Sequence, residues 1–458
     1  MNEALLNEDT IAAVATGLGG AGIGIIRVSG PEAVDIVTRI FVNHAGKTVE
    51  GAESHKLLYG NILEPEDGRI IDEVLVSKMK GPFSYTAEDV VEINCHGGIV
   101  SLKRILDAVI RSGARLAEPG EFTKRAFLNG RLDLAQAEAV MDIISAKTEK
   151  SLEYSVGQLE GKLSQRLTAI DDLLIDVMAN VEANIDYPEY DIEEVTTAYL
   201  NDHIQQAMDM VDALLKASET GKIYREGITT AILGEPNVGK SSLLNTLLME
   251  NKAIVTEIPG TTRDIIEEYI NIGGIPFKII DTAGIRETDN LVEQIGVEKS
   301  RQLIKNTNLI LFMTDLSRPF SEEEKTLIEE LDPSKTIFIA NKTDSMMETR
   351  GVPEGWMPLS LKEDKGVEAL KDKMLEMVMG GSVDQEADYI VNNVRHVHLL
   401  EEAMGCLKNA LGTIDMGMPL ELVSIDIKDG LEKIREITGR SVGSDIINQI
   451  FKNFCIGK

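Results

Sequence analysis

One run carries the densest chemistry in the chain. Gly234-Glu235-Pro236-Asn237-Val238-Gly239-Lys240-Ser241 fits the spacing GxxxxGK[ST]. Glycine at its two fixed positions lets successive backbone N–H groups wrap phosphate oxygens. Lys240 then reaches the β and γ oxygens, and Ser241 offers a hydroxyl to Mg2+. Three further motifs follow in order. Asp281-Thr282-Ala283-Gly284 supplies a carboxylate for the Mg2+ shell and a backbone N–H, at Gly284, for a γ-phosphate. Asn341-Lys342-Thr343-Asp344 supplies Asp344, whose carboxylate can accept from both the N1–H and the 2-amino group of guanine. Adenine would leave that carboxylate unpaired. Ser360-Leu361-Lys362 can back the base through its main chain. Gly260-Thr261-Thr262-Arg263-Asp264 falls where a switch segment belongs, and Thr262 is the candidate for a second Mg2+ hydroxyl. Together the motifs point to an enzyme that binds and hydrolyses GTP with Mg2+.

Elements must hold these motifs in place. Thr229–Leu233 predicts a strand and Ser241–Leu248 a helix, the strand–loop–helix setting that a phosphate loop requires. Further strands are predicted at Ile266–Ile272, Phe277–Asp281, Leu309–Thr314 and Ile337–Ala340, with Gly273-Gly274 turning a hairpin. This is a doubly wound α/β domain. Before it, the first ~125 residues alternate short apolar runs with glycine-rich turns. Thr10–Ala15, Gly24–Val28, Leu57–Ile62 and Val74–Lys78 read as strands and Leu102–Ser112 as a helix, an α+β pattern. From Arg131 the period changes. Leu152, Val156, Leu159, Leu163, Leu167, Ile170, Leu174, Val177 and Val181 recur at steps of three and four, which places one apolar stripe along one long helix. The acidic stretch Asp186–Asp191 reads as a loop, and Leu200–Leu215 as a second amphipathic helix. After Gly380-Gly381 the helical signal returns and holds to Lys458. The expected fold class is therefore multidomain: an α+β N-terminal domain (1–128), a helical bundle in two segments (129–221 and 381–458), and an inserted Ras-like P-loop GTPase domain (222–380).

Composition narrows the function classes. The 458 residues allow about three domains. A formal charge of −30 disfavours a broadly basic nucleic-acid surface, so any RNA substrate needs a local patch or a basic partner. The acidic N-terminus lacks signal-peptide layout, and no apolar run reaches a membrane span. Cys95, Cys406 and Cys455 show no CxxC spacing, which argues against a disulfide framework or zinc site and for a reducing, cytoplasmic setting.

Where Ras-like enzymes carry a water-positioning Gln after Gly284, this chain has Ile285. Arg263 and Arg286 are the local cations that could meet transition-state charge, or they are solvated surface charges.

PNxGKS, GTTRD and DTAG, together with the terminal Phe454-Cys455-Ile456-Gly457-Lys458, resemble the TrmE (MnmE) family of tRNA-modification GTPases within the TrmE-Era-EngA-like group. Glu88-Asp89-Val90-Val91-Glu92, His96-Gly97-Gly98, Pro119-Gly120-Glu121-Phe122 and Leu132-Asp133-Leu134-Ala135-Gln136-Ala137-Glu138 also look like that family, and the likeness runs end to end. The resemblance implies a folate-binding N-terminal domain and a homodimer in which two G domains pair. It implies a flavoprotein partner of the MnmG type, which carries FAD, and a role in placing an aminomethyl-type (carboxymethylaminomethyl) group on C5 of the wobble uridine of certain tRNAs. The tRNA would be held mainly by the partner.

The same resemblance implies that K+ supplies the charge of an arginine finger. Asn237 would offer its side-chain oxygen, and Thr256, Ile258 and Thr261 their carbonyls, a shell that suits a large monovalent cation. Glu293, in Val292-Glu293-Gln294-Ile295-Gly296, matches the family's water-orienting Glu and joins Lys240 and Thr262 as the catalytic set. The nucleotide set becomes Asn237, Val238, Gly239, Lys240, Ser241, Ser242, Thr256, Thr261, Thr262, Asp281, Thr282, Ala283, Gly284, Asn341, Lys342, Asp344, Ser360 and Lys362. For a one-carbon folate of the 5-formyltetrahydrofolate type the implied residues are Arg27, Glu92, Arg131 and Lys458. Arg131 departs from relatives that carry Lys there, keeping the charge but changing its geometry.

Two other signals lead elsewhere. Gly17–Gly22 fits GxGxxG, but Ile23–Val28 reads as strand where a dinucleotide loop needs a helix. Cys95-His96 pairs a thiol with an imidazole, yet neighbours in sequence need not face each other. Competing with the tRNA-modifying enzyme are a regulatory ribosome-assembly or RNA-binding GTPase, which leaves the N-terminal domain and FCIGK unexplained, and a folate-dependent carrier with an inert G domain, which leaves Lys240, Ser241, Thr262 and Asp281 unexplained.

Overall fold

In a computed structural model of the chain, the described residues are 9–17, 19–186, 193–251, 268–281, 307–345, 351–380 and 390–458. The first unit is built on β1 (Ile11–Val14), β2 (Ile23–Ser29), β3 (Phe41–Asn43), β4 (Leu57–Leu63), β5 (Ile70–Met79), β6 (Val90–His96) and β7 (Arg115–Leu116). They form one sheet in the order β3-β4-β5-β6-β2-β1-β7. Helices α1 (Ala33–Ile40) and α2 (Ile99–Arg111) cover one face. Alternation decides which side chains they meet. Ile26, Val28, Val91 and Ile93 face this core, so their neighbours Arg27 and Glu92 face the other side, paired in antiparallel register. The sequence reading does not anticipate β6; its side chains alternate burial, and Glu92 and Asn94 interrupt the apolar run that a strand would advertise.

Helices follow: α3 (Glu121–Leu128), α4 (Leu134–Ser145), α5 (Glu149–Leu159), α6 (Lys162–Asp186) and α7 (Glu193–Glu226). Asp133 and Gln136 close a reciprocal capping box at the start of α4. The expected single long helix is two. Gly161, at φ +89°, breaks it between α5 and α6. Gln136 Nε2 donates to the Leu159 carbonyl (2.9 Å) and Gln158 Nε2 to the Ala135 carbonyl (2.9 Å), which fixes the corner. The stripe accordingly splits. Leu163, Leu167, Ile170, Leu174, Val177 and Val181 are buried, whereas Leu152 and Val156 are 41% and 38% exposed.

The second sheet has the order β13-β12-β11-β8-β10-β9 among the described residues. Its strands are β8 (Ile228–Leu233), β9 (Glu268–Ile272), β10 (Ile275–Asp281), β11 (Leu309–Asp315), β12 (Thr336–Asn341) and β13 (Met357–Pro358), with α8 (Lys240–Asn251), α9 (Glu322–Glu330) and α10 (Val367–Met379) beside them. All pairs are parallel except the β9–β10 hairpin, where Gly273 and Gly274, both at positive φ, connect Ile272 to Ile275.

Three helices complete the chain: α11 (Val394–Asp415), α12 (Leu420–Thr438) and α13 (Ser444–Phe451). Leu399, Leu400, Ala403, Leu407, Val423, Ile427 and Ile434 pack with the stripes of α6 and α7 into one core. The architecture is thus an α+β layer, a helical bundle assembled from two stretches of sequence, and a doubly wound α/β unit between those stretches. Among the described residues no helix is long and apolar enough to cross a membrane.

Candidate nucleotide and folate sites

Strand β8 stops at Leu233 and α8 starts at Lys240, so the intervening loop presents its backbone at a helix N-terminus. Two glycines are required there by space. Gly234 has φ +142°, and a Cβ on it would lie 2.2 Å from the Met313 carbonyl. Gly239 has φ +111°, and a Cβ on it would lie 2.4 Å from Asn341 Nδ2. Asn237, at φ +64°, is exposed at the crest, and Val238 is fully buried beneath it. Lys240 Nζ donates to the carbonyls of Gly234 (2.9 Å) and Glu235 (2.8 Å), which holds the ammonium across the loop. Ser241 and Ser242 are exposed in the first turn of α8.

The Asn341-Lys342-Thr343-Asp344 motif joins this loop directly. Asn341 ends β12, is 2% exposed, and its Nδ2 donates to the Val238 carbonyl (2.7 Å). Lys342, at φ +61°, donates through Nζ to Asp315 Oδ2 (2.6 Å) at the end of β11. Burial pushes the Asp315 carboxyl up, but bonds from Lys342 and Ser317 outweigh it and hold the group below its ordinary range. Asp344 accepts from the hydroxyls of Ser360 (2.8 Å) and Ser345 (3.0 Å), and these bonds hold it below the usual carboxylate range. Ser360 is fully buried, and Lys362 Nζ lies 3.9 Å from Asp344 Oδ2. A carboxylate so fixed stays ionised and aimed, as two-donor recognition of a purine edge requires. Asp281 closes β10 in parallel register with Ile232, at the same end of the strands as the loop.

The structure therefore brings together Asn237, Val238, Gly239, Lys240, Ser241 and Ser242 with Asn341, Lys342, Asp344, Ser360 and Lys362. Thr256, Ile258, Thr261, Thr262, Arg263, Thr282, Ala283, Gly284, Arg286, Glu293 and the Asp281 side chain lie outside the described residues. Sequence reasoning missed Asp315; its signal was an acidic residue closing an apolar strand, as Asp281 also does.

A second cluster forms on the face of the first sheet opposite α1 and α2. Arg27 donates through Nε to Glu92 Oε1 (2.9 Å), while Nη2 lies 2.8 Å from the same oxygen. The guanidinium carbons of Arg27 and Arg131 lie 4.7 and 4.9 Å from the centre of the Tyr85 ring. Arg27 Nη1 also donates to the Gly457 carbonyl (3.4 Å). Gly457 itself has φ +90°, and a Cβ there would lie 2.2 Å from the Val14 carbonyl, so the last residues run tight against β1. Burial and then the nearby Arg27 charge push the Lys458 ammonium below its ordinary value. Arg27 and Arg131 thus flank Tyr85, a residue whose place nothing in the sequence spacing announced, while Glu92 pairs with Arg27 and Lys458 feels the charges of both. An aromatic ring flanked by cations in this way suits an aromatic ligand that carries carboxylates.

Cys95 and His96 point apart. Cys95 is buried, donates to the Gly24 carbonyl, and burial pushes its thiol up to about 11; His96 turns outward to Asp72 (2.7 Å). Gly17–Gly22 opens into β2, a strand.

Comparison with known proteins extends this geometry. Residues 10–131 match the family described as GTP-binding protein TrmE N-terminus, and residues 134–455 match the MnmE helical domain. The tRNA modification GTPase MnmE of Alkaliphilus oremlandii is 48% identical, over 98% of this chain and 99% of its own length. The proteins of the same name from Carboxydothermus hydrogenoformans and Acetivibrio thermocellus are 47% and 48% identical, over 98% and 99% of this chain and the whole of each relative. With likeness at that level along the full chain, and a loop of phosphate-binding spacing between β8 and α8, this protein belongs to the MnmE family of tRNA modification GTPases.

Proposed function

We propose that the protein is a K+-stimulated GTPase of the cytoplasm that acts with a FAD-containing partner to install an aminomethyl-type group at C5 of wobble uridines, using a one-carbon folate. The observation that carries the reading is the junction of two motifs: Asn341 holds the Val238 carbonyl, so the phosphate loop and the Asp344 base reader form one rigid site. Lys240 would move from its two carbonyls to the β and γ oxygens of GTP. Ser241 and Thr262 would hold Mg2+, whose charge offsets that of the phosphates. The exposed, positive-φ Asn237 fits an outward-facing ligand, and with Thr256, Ile258 and Thr261 it would hold K+, a cation that would supply positive charge to the transition state. Glu293 would orient water. Asp281 would support the Mg2+ shell, and within Asp281-Thr282-Ala283-Gly284 the Gly284 N–H would meet the γ-phosphate.

In the first unit, Arg131 and Lys458 would meet folate carboxylates, and the Arg27–Glu92 pair would face the pterin edge. The chain would work as a homodimer, divided at 1–128, 129–221, 222–380 and 381–458, with tRNA gripped mainly by the partner, a division of labour that a charge of −30 on this chain fits. Two measurements test the reading. GTP turnover should be at least about 10-fold faster in KCl than in NaCl at equal ionic strength; equal rates reject the K+ site. Mass spectrometry of wobble uridines from cells lacking the protein should show loss of the C5 group, and unchanged modification rejects the tRNA role.

A further inference from the structure

The second residue of the phosphate loop is a carboxylate. Glu235 sits between Gly234 and the crest, and its carbonyl is one of the two that hold Lys240. A bare negative charge beside a triphosphate is repulsive at this range. The side chain is, however, turned away and bonded. Arg318 Nη2 donates to Glu235 Oε2 (2.7 Å), and the Ser321 hydroxyl donates to Glu235 Oε1.

Arg318 is itself fixed from behind. Its two Nη atoms each donate to Glu324, at 3.0 Å, and the Glu324 side chain is 1% exposed. Glu324 also accepts from Thr314 (2.9 Å) near the end of β11 and from the Ser321 backbone (3.0 Å). One guanidinium therefore bridges a carboxylate anchored in the core and a carboxylate on the loop. Charge-assisted bonds of this forked kind are directional as well as strong.

We propose that Arg318 is a positioning residue for the nucleotide: it holds Glu235 out of the loop mouth, neutralises it, and so keeps the Gly234 and Glu235 carbonyls set around Lys240. The inference rests on the reading of this loop as the triphosphate site. Removing Arg318 leaves an uncompensated negative charge at the loop, whereas removing the Glu235 charge leaves nothing to compensate.

The test is binding of a fluorescent GDP analogue with Mg2+ to the full-length chain, with melting curves as a check on folding. Arg318→Met should weaken affinity about 10-fold, and Glu235→Gln on top of it should restore affinity to within about 3-fold of the unaltered protein. The deficit of Arg318→Met relative to the unaltered protein should shrink when choline chloride is raised to about 1 M, since salt screens charge but does not mend a packing defect. A double variant no better than Arg318→Met, or a deficit indifferent to salt, overturns the proposal.

Because Arg318→Met also strips Glu324, a second pair of variants leaves that bond intact. Glu235→Asp keeps the charge but falls a methylene short of Arg318 and should bind several-fold more weakly than Glu235→Gln. Equal affinities of the two overturn the proposal even if Arg318→Met fails to fold. Lack of binding by the unaltered protein would instead reject the nucleotide site itself.

Discussion

Asp344 is held ionised by Ser360 and Ser345, and that fixes what it can read. An Asn in its place presents one acceptor and one donor. Asp344→Asn should weaken GTP binding about 100-fold and gain affinity for xanthosine nucleotides, whose C2 carbonyl accepts where guanine donates. Competition binding checks this; undiminished guanine preference would misassign the base site. Residues like these were legible in sequence because backbone geometry dictates their type at short range. No side chain fits at Gly234 or Gly239, so the spacing survives as a pattern. Arg318 and Tyr85 were not legible, and the acidic close of β11 that marks Asp315 does not name its partner. Each reaches its partner through tertiary pairing, Lys342 with Asp315, Glu235 with Arg318, and Arg27 with Tyr85, and no local period records that.

Elements were read from period, and period fails at a corner. The steps of three and four continue from Leu159 to Leu163, yet Gly161 turns the chain between them. The same corner presents α4, whose Glu138 is bonded by Asn393 (2.9 Å), Arg395 (2.7 Å) and His396 (2.7 Å) at the start of α11. Burial alone would push this carboxyl up, but His396 and Arg395 outweigh it and hold it at about 2. A carboxylate depressed on folding stabilises the fold above its unfolded pKa, about 4.5, and that contribution fades as pH falls towards 2. Glu138→Gln should therefore lower the urea midpoint at pH 7, at a cost of about 3 kcal/mol, and the gap to the unaltered protein should narrow between pH 4.5 and pH 3. A gap constant with pH would show that packing, not charge, makes the contact.

At the scale of the whole molecule, both crossings into the nucleotide unit are tied to the helical one. Arg225, at the end of α7, lies 3.1 Å from Asp142 of α4 and donates to the Asn392 carbonyl (3.0 Å), on the returning strand of chain. Tyr154 of α5 and Tyr224 of α7 are buried in the core of the second sheet, with ring centres 5.0 Å apart. The insertion was visible in the sequence as a change of period on either side. The tyrosine contact was not, because Tyr154 and Tyr224 lie 70 positions apart in sequence and no local pattern links them.

The bundle core, which joins Leu163–Leu214 to Leu399–Ile437, sets an order on biosynthesis. A ribosome delivers α6 and α7 long before the helices that cover them, and completes the nucleotide sheet in between. Nascent chains released at increasing lengths should gain protease protection over β8 (Ile228–Leu233) and β11 (Leu309–Asp315) before 163–181, and the reverse order would mean that α6 and α7 find another cover while they wait.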